Sequence, residues 1–134
     1  MIVVDTSAWI ALLRRSEGPI DRALARLIET RAEIAVTEAV VMELLAGARS
    51  AREERRLRAL VLGFPVLPLG GLPDFEAAAQ IFNTCHRAGE TLRSIVDCLV
   101  AVPTMLAGAT LLHADRDFET IARHTPLRLE PLAA

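Results

Sequence analysis

Strands alternating with helices along the whole chain predict an α/β protein: a three-layer sandwich in which helices flank a mainly parallel central sheet. Three observations carry this expectation. Short apolar runs rich in β-branched residues, such as IVVD, EIAV and ATLLH, recur along the chain. The intervals between them hold segments of helical period, such as DRALARLIETR and EAVVMELLAGA. Helix-starting residues follow directly after strands, with Thr6 or Ser7 after the first and Thr37 after the second.

Taken in order, residues 2–5 form a short buried strand and 7–15 a helix. The turn EGP (17–19) precedes a helix over 21–31, and a brief strand over 33–36 leads into a helix over 38–48. Ser50 with Glu53 is a capping-box spacing for a helix over 52–63. FPVLPLG (64–70) reads as an edge strand limited by its prolines. Pro73 and Asp74 open a helix over 75–89, and Ser94 with Asp97 repeats the capping-box spacing ahead of a helix over 96–108. A strand at 109–113, a helix at 118–124 and a last edge strand at 127–132 complete the chain. With no repeat, linker or low-complexity segment, residues 1–134 read as a single domain.

Composition narrows the chemistry. Hydrophobic residues make up 52% of the chain, and the mean hydropathy is +0.35. Charged residues interrupt every apolar run before the roughly 18–20 residues of a membrane helix, so a protein partner, either a second copy or a cognate chain, is expected to cover the excess apolar surface. Asp5 inside the N-terminal apolar stretch, with no basic run before it, argues against a signal peptide. Cys85 and Cys98 form no CxxC or zinc pattern and read as buried thiols of a reducing, cytoplasmic compartment. All fifteen basic residues are arginine. The absence of lysine removes P-loop and Schiff-base chemistry and leaves the guanidinium, suited to phosphate, as the only permanent side-chain cation.

The carboxylates are where function concentrates. In open α/β sheets functional groups gather at the carboxyl ends of strands. Asp5 ends the first strand, and Asp115 and Asp117 lie just past the strand 109–113, in HADRD. From Asp97 the helix rises about 15 Å, and the following strand returns about as far, so Asp97 and Asp115 share a height. Glu43 sits within an apolar helical stripe beside Met42, Leu44 and Leu45, where an unpartnered carboxylate is costly. Each acid has a structural reading when taken singly. Asp5 starts a helix, Asp97 completes the Ser94 box, Asp117 caps the helix after it, and His113 is a packed strand-end residue. Glu43 is the hardest to explain that way. Jointly the acids repel one another unless a divalent cation sits among them. Hard oxygen donors suit Mg²⁺ or Mn²⁺, which lowers the pKa of a bound water and stabilises charge on a phosphodiester.

The order VVDTSAWI, VVMELLAG, GETLRSIVDCLVA and ATLLHADRDFETIA resembles PIN-domain ribonucleases, specifically VapC-type toxins of bacterial toxin–antitoxin pairs. The likeness spans essentially the whole chain. It places the family's acids on Asp5, Glu43, Asp97 and Asp115, and Asp117 on the second, more variable acid of the last motif. Thr6 matches the small hydroxyl residue that orients a carboxylate or a metal-held water. The resemblance implies a Mg²⁺- or Mn²⁺-dependent endoribonuclease acting on transfer or ribosomal RNA, commonly dimeric and inhibited by a cognate antitoxin. The metal set on this reading is Asp5, Asp97 and Asp115, with Asp117 in support and Glu43 completing the set or orienting the attacking water. Arg93 and then Arg116 are the candidates to hold phosphate.

Pro103 departs from the family pattern and predicts a bent helix with Asp97 intact. ARSAREERRLR (48–58) reads as a solvated face with internal Glu–Arg pairs, with an RNA-facing patch as the alternative. Setting the five site acids aside turns a net charge of −2 into +3, a mildly basic frame around an acidic pocket. Phosphotransfer enzymes of the haloacid-dehalogenase type, and receiver domains, need a lysine this chain lacks. The remaining rival is a catalytically silent PIN-like module that only binds RNA or protein.

Overall fold

A computed structural model describes residues 1–132. The elements follow one another as β1 (Ile2–Val4), α1 (Thr6–Leu13), α2 (Pro19–Glu29), β2 (Ile34–Thr37), α3 (Glu38–Ala46), α4 (Ala51–Val61), β3 (Val66–Leu67), α5 (Leu72–Arg87), α6 (Val96–Leu106), β4 (Thr110–Leu112), α7 (Arg116–His124) and β5 (Arg128–Leu129). All four strand pairings are parallel, in the order β3-β2-β1-β4-β5. Ile2 aligns with both Ile34 and Thr110, which brings the ends of the three central strands level.

That order creates a switch point. From β1 the chain steps through β2 to β3 on one side, then returns past β1 to place β4 and β5 on the other. Loops leaving β1 and β4 therefore diverge, and the crevice between their carboxyl ends is where such sheets bind ligands. Helices α1 to α4 pack among themselves, as do α5 to α7, and α3 also meets α6. Right-handed crossovers put these two groups on opposite faces of the sheet. Both faces of the central strands are thus covered, and Val3, Val4, Ala35, Val36 and Leu111 are fully buried between them.

Local chemistry explains the boundaries. Thr37 caps α3 through its side-chain oxygen, which accepts from the Val40 N–H, and Ser50 does the same for α4 through Glu53. Pro65 and Pro68 confine β3 to two residues, fewer than the 64–70 run suggests. Helix α5 starts earlier than expected because Gly71, at φ +81°, turns the chain just ahead of Pro73. The expected Ser94–Asp97 box does not form. Ser94 Oγ accepts instead from the Val96 N–H, and Ile95 occupies the cap position, which leaves the Asp97 carboxylate uncommitted to capping. Helix α6 runs unbroken through Pro103, with Asp97 in its first turn. The Glu–Arg pairs expected within α4 are absent among the described residues; Glu53 turns back to the Arg49 N–H instead.

Candidate metal centre and its surroundings

Asp5, directly after β1, is 3% exposed. It is the N-cap of α1, matching its helix-start reading rather than a start at Thr6 or Ser7, because its Oδ2 accepts from the Ser7 N–H at 2.9 Å and from Ser7 Oγ at 2.6 Å. Ser7 Oγ in turn accepts the Ala114 N–H at 2.8 Å, tying the start of α1 to the turn after β4. Asp5 Oδ1 is buried and has no hydrogen-bond partner among the described residues. Burial raises this carboxyl above its ordinary range, although the Ser7 bonds oppose the shift.

Asp97 enters from the first turn of α6 and is 6% exposed, with Oδ2 likewise buried and unpartnered. Burial, then the charges of Asp5, Asp115 and Asp117, push its carboxyl up to about 8. Asp115, at the turn after β4, caps α7 by accepting the Asp117 N–H on Oδ1 at 3.0 Å. One carboxylate oxygen from each of Asp97, Asp115 and Asp117 lies within 4.8 Å of the others. Asp5 stands outside this closest trio, yet its charge acts on Asp97. Glu43 reaches the same region from α3, where its Oε1 accepts from Thr6 Oγ1 at 2.8 Å. Burial raises the Glu43 carboxyl, with the neighbouring charges of Asp5 and Asp115 adding to the shift.

Thr6 is therefore bonded to a carboxylate, and of the five acids Asp97, Asp115 and Asp117 converge most closely, while Asp5 and Glu43 lie near enough for their charges to act on this region. Asp117 has a second task. Its Oδ2 accepts the Arg93 N–H at 2.8 Å and the Ser94 N–H at 3.2 Å, so it anchors the loop between α5 and α6. That anchor holds Arg93 over the cluster, with Nη2 donating to Asp115 Oδ1 at 3.0 Å and Nε 3.7 Å from Asp117 Oδ1. Arg116, in the first turn of α7, is exposed beside these acids and faces the same hollow as Arg93. His113 packs as expected. Its Nδ1 accepts the Asp115 N–H at 3.0 Å, its ring lies 5.4 Å from Phe118, and burial lowers its pKa.

A divalent cation fits this donor set. Two buried carboxylate oxygens, on Asp5 and Asp97, lack a partner among the described residues, three acids converge, and burial pushes the Asp97 carboxyl well above its ordinary range. Such an arrangement is stable when positive charge is available and costly without it. Asp97, Asp115 and Asp117 would hold a hard cation, with Asp5 adjacent. The identity of the ion is not defined by these oxygens alone.

Two links that organise the site have no local signature in the sequence. Ser7, a helix-start residue by sequence, also carries the bridge from Asp5 to Ala114. Glu90 accepts from Arg123 Nη2 at 2.5 Å and pairs with His124 Nε2, strapping the α5–α6 loop to α7. GETLRS and the RH pair of α7 contained those residues, but nothing local signals a pairing across more than 30 positions.

The chain matches the PIN domain family over residues 2–124. It belongs to that family. Among curated relatives, the VapC ribonuclease Mb1587 of Mycobacterium bovis and ribonuclease VapC11 of Mycobacterium tuberculosis are each 43% identical over 129 residues, covering 96% of both chains. Among solved structures, VapBC2 from Rickettsia felis bound to a promoter DNA fragment superposes with a TM-score of 0.74 at 17% identity, over 99% of this chain and 100% of the other. VapC20 of Mycobacterium tuberculosis, described as a sarcin-ricin loop cleaving toxin, gives 0.65 at 22% identity, over 96% and 99%. These two structures establish the shared fold.

Proposed function

We propose that this protein is a Mg²⁺- or Mn²⁺-dependent endoribonuclease, the toxin of a toxin–antitoxin pair. The observation that carries the reading is the convergence of Asp97, Asp115 and Asp117 at the sheet's switch point, with buried carboxylate oxygens left unpartnered. Identity of 43% to two VapC ribonucleases supports RNA as the substrate. When bound, the divalent ion supplies an acidified water and neutralises charge building on the phosphodiester. The chain's own residues supply the rest. Asp97, Asp115 and Asp117 would present the metal-holding oxygens with Asp5 beside them, and Asp117 also seats the loop that bears Arg93. Glu43, fixed by Thr6, would complete the metal set or orient the attacking water. Arg93 and Arg116 hold the phosphate of the strand being cut, a task for which the planar guanidinium is suited.

Transfer or ribosomal RNA is the proposed substrate class, the latter supported by what VapC20 is described as cleaving. A cognate antitoxin is the proposed protein partner, supported by VapBC complexes among the structural neighbours. Exposed apolar side chains such as Leu72, Phe75, Ile95 and Leu106 support a further interface with a second copy. On this reading residues 1–134 act as one cytoplasmic domain. Among the described residues no helix is long and apolar enough to cross a membrane.

The test is cleavage of total RNA by purified, antitoxin-free protein. Discrete fragments with Mn²⁺ or Mg²⁺, lost with a chelator and in Asp97→Asn, are expected. A folded protein that binds Mn²⁺ yet cuts neither transfer nor ribosomal RNA would fit the silent binding module instead.

A further inference from the structure

A cavity of about 470 Å³ opens beside the carboxylate cluster, between the Gly89–Arg93 loop and α7. Its lining includes three guanidinium groups, from Arg93, Arg116 and Arg123, and no apolar side chain. A wholly polar hollow is poorly suited to an aromatic cofactor or an apolar ligand. Arg93 and Asp117 belong both to this cavity and to the acidic cluster, so the two form one continuous surface.

Arg116 and Arg123 lie seven residues apart on α7, two turns on one face and about 10 Å along the axis. A single phosphate is too small to bridge that span, whereas a strand carrying successive phosphates matches it. Arg123 is already ordered. Its Nη2 donates to Glu90 Oε1 at 2.5 Å and to Thr120 Oγ1 at 3.1 Å, while the other Glu90 oxygen engages His124. One guanidinium nitrogen does this holding, and the others remain as donors. An arginine ordered in advance loses less entropy on binding than a free one. The acids nearby are mostly committed, Asp117 to backbone N–H groups and Glu90 to Arg123 and His124. Glu119 is exposed, lines the same hollow and opposes an anion.

We propose that this cavity, with Arg116 and Arg123 along α7, is a backbone-phosphate track that receives the RNA strand beyond the scissile bond. The track rests on the nuclease reading and assigns the direction in which substrate leaves the metal centre, from Arg93 past Arg116 toward Arg123. It is independent of base identity, since it contacts phosphate alone.

The test is anisotropy of fluorescein-labelled bulk transfer RNA in EDTA, where no cleavage occurs, across a salt series. Wild type is expected to bind with affinity that falls as salt rises. The double variant Arg116→Gln/Arg123→Gln is expected to bind about tenfold more weakly, with the log–log salt slope flatter by roughly 1 to 2. The corresponding lysine pair should restore the slope, and Glu119→Gln should tighten binding. Unchanged affinity and slope in the glutamine pair, at wild-type melting temperature, would overturn the track and leave the nuclease reading standing. Should that pair melt early, Arg116→Gln, which breaks no ion pair or hydrogen bond among the described residues, decides alone, and an unchanged slope overturns the track. Wild type that binds no RNA overturns both readings. Displacement of the RNA by an equal concentration of poly-glutamate would reassign the track to an acidic protein segment.

Discussion

Thr6 shows how one hydroxyl fixes a carboxylate far away in the sequence. It donates to Glu43 Oε1 at 2.8 Å across 37 positions of sequence, so a group in the first turn of α1 sets the aim of a carboxylate on α3. Removing it leaves a half-buried acid whose pKa burial already raises, now without its only side-chain donor among the described residues. Thr6→Val, close in shape, is expected to lower kcat by about tenfold, equivalent to about 1.4 kcal/mol, with KM for RNA little changed. Thr6→Ser should recover most of the rate. Steady-state kinetics on a defined RNA decide this, and equal losses in both variants would show that packing of the threonine methyl matters instead. Ser7, next in the chain, makes a different link, joining Asp5 Oδ2 to the Ala114 N–H and so setting the ends of β1 and β4 against each other.

The loop from Gly89 to Ile95 depends on α7 at two places, Asp117 under the Arg93 and Ser94 N–H groups and Arg123 with His124 on Glu90. On the proposed reading Asp117 thus has two separable duties, an oxygen offered to the metal and an anchor for the loop. Asn keeps an acceptor for the backbone N–H groups but loses the charge, whereas Ala loses both. Asp117→Asn is expected to weaken Mn²⁺ binding, measured by calorimetry, with little change in melting temperature. Asp117→Ala should also lower that temperature by several degrees, as expected when about 1–2 kcal/mol of buried hydrogen bonding is lost. Indistinguishable melting of the two variants would mean that the loop is held elsewhere. Helix α6 carries the opposite balance. Most of its residues between Cys98 and Thr104 are buried, so packing holds it in place through the missing N–H of Pro103.

Proton binding to the acidic centre couples to the stability of the whole chain. The Asp97 carboxyl, normally near 3.8, is pushed to about 8 in the folded protein by burial and then by Asp5 and its neighbours. Between those two pH values the folded chain holds a proton that the unfolded chain has released, so stability falls as pH rises through that window. Asp5 and Glu43, also raised, act in the same direction. Metal-free protein is therefore expected to melt higher at pH 5 than at pH 8, by about 3–10 °C. Mn²⁺ should stabilise it far more at pH 8 than at pH 5, because ion and proton compete for the same oxygens. Asp97→Asn should flatten the metal-free profile and abolish the Mn²⁺ effect. Scanning calorimetry at three pH values checks this, and a Mn²⁺ shift independent of pH would place the ion away from Asp97.

Much of this was legible locally. Apolar runs with period 2 or 3.6, caps at Thr37 and Ser50, and proline limits on β3 depend on neighbours a few residues away, so they can be read along the chain. The same holds for the placement of Asp5 and Asp115 just past strand ends, where a backbone leaving a sheet exposes its side chains. The two acids closest to misreading were Asp97, whose spacing from Ser94 imitated a capping box, and Asp117, whose cap-like position concealed an anchor for a loop 24 positions earlier. The chain's own order of residues determined the α/β alternation, the all-arginine basicity and the set of acids available to a metal. Only the tertiary structure decided the strand order that sets β1 beside β4, the trio that converges most closely, and the joining of Glu90 to Arg123 and His124. Those outcomes depend on contacts between segments tens of residues apart, whose free energy comes from packing both faces of the sheet rather than from local pattern.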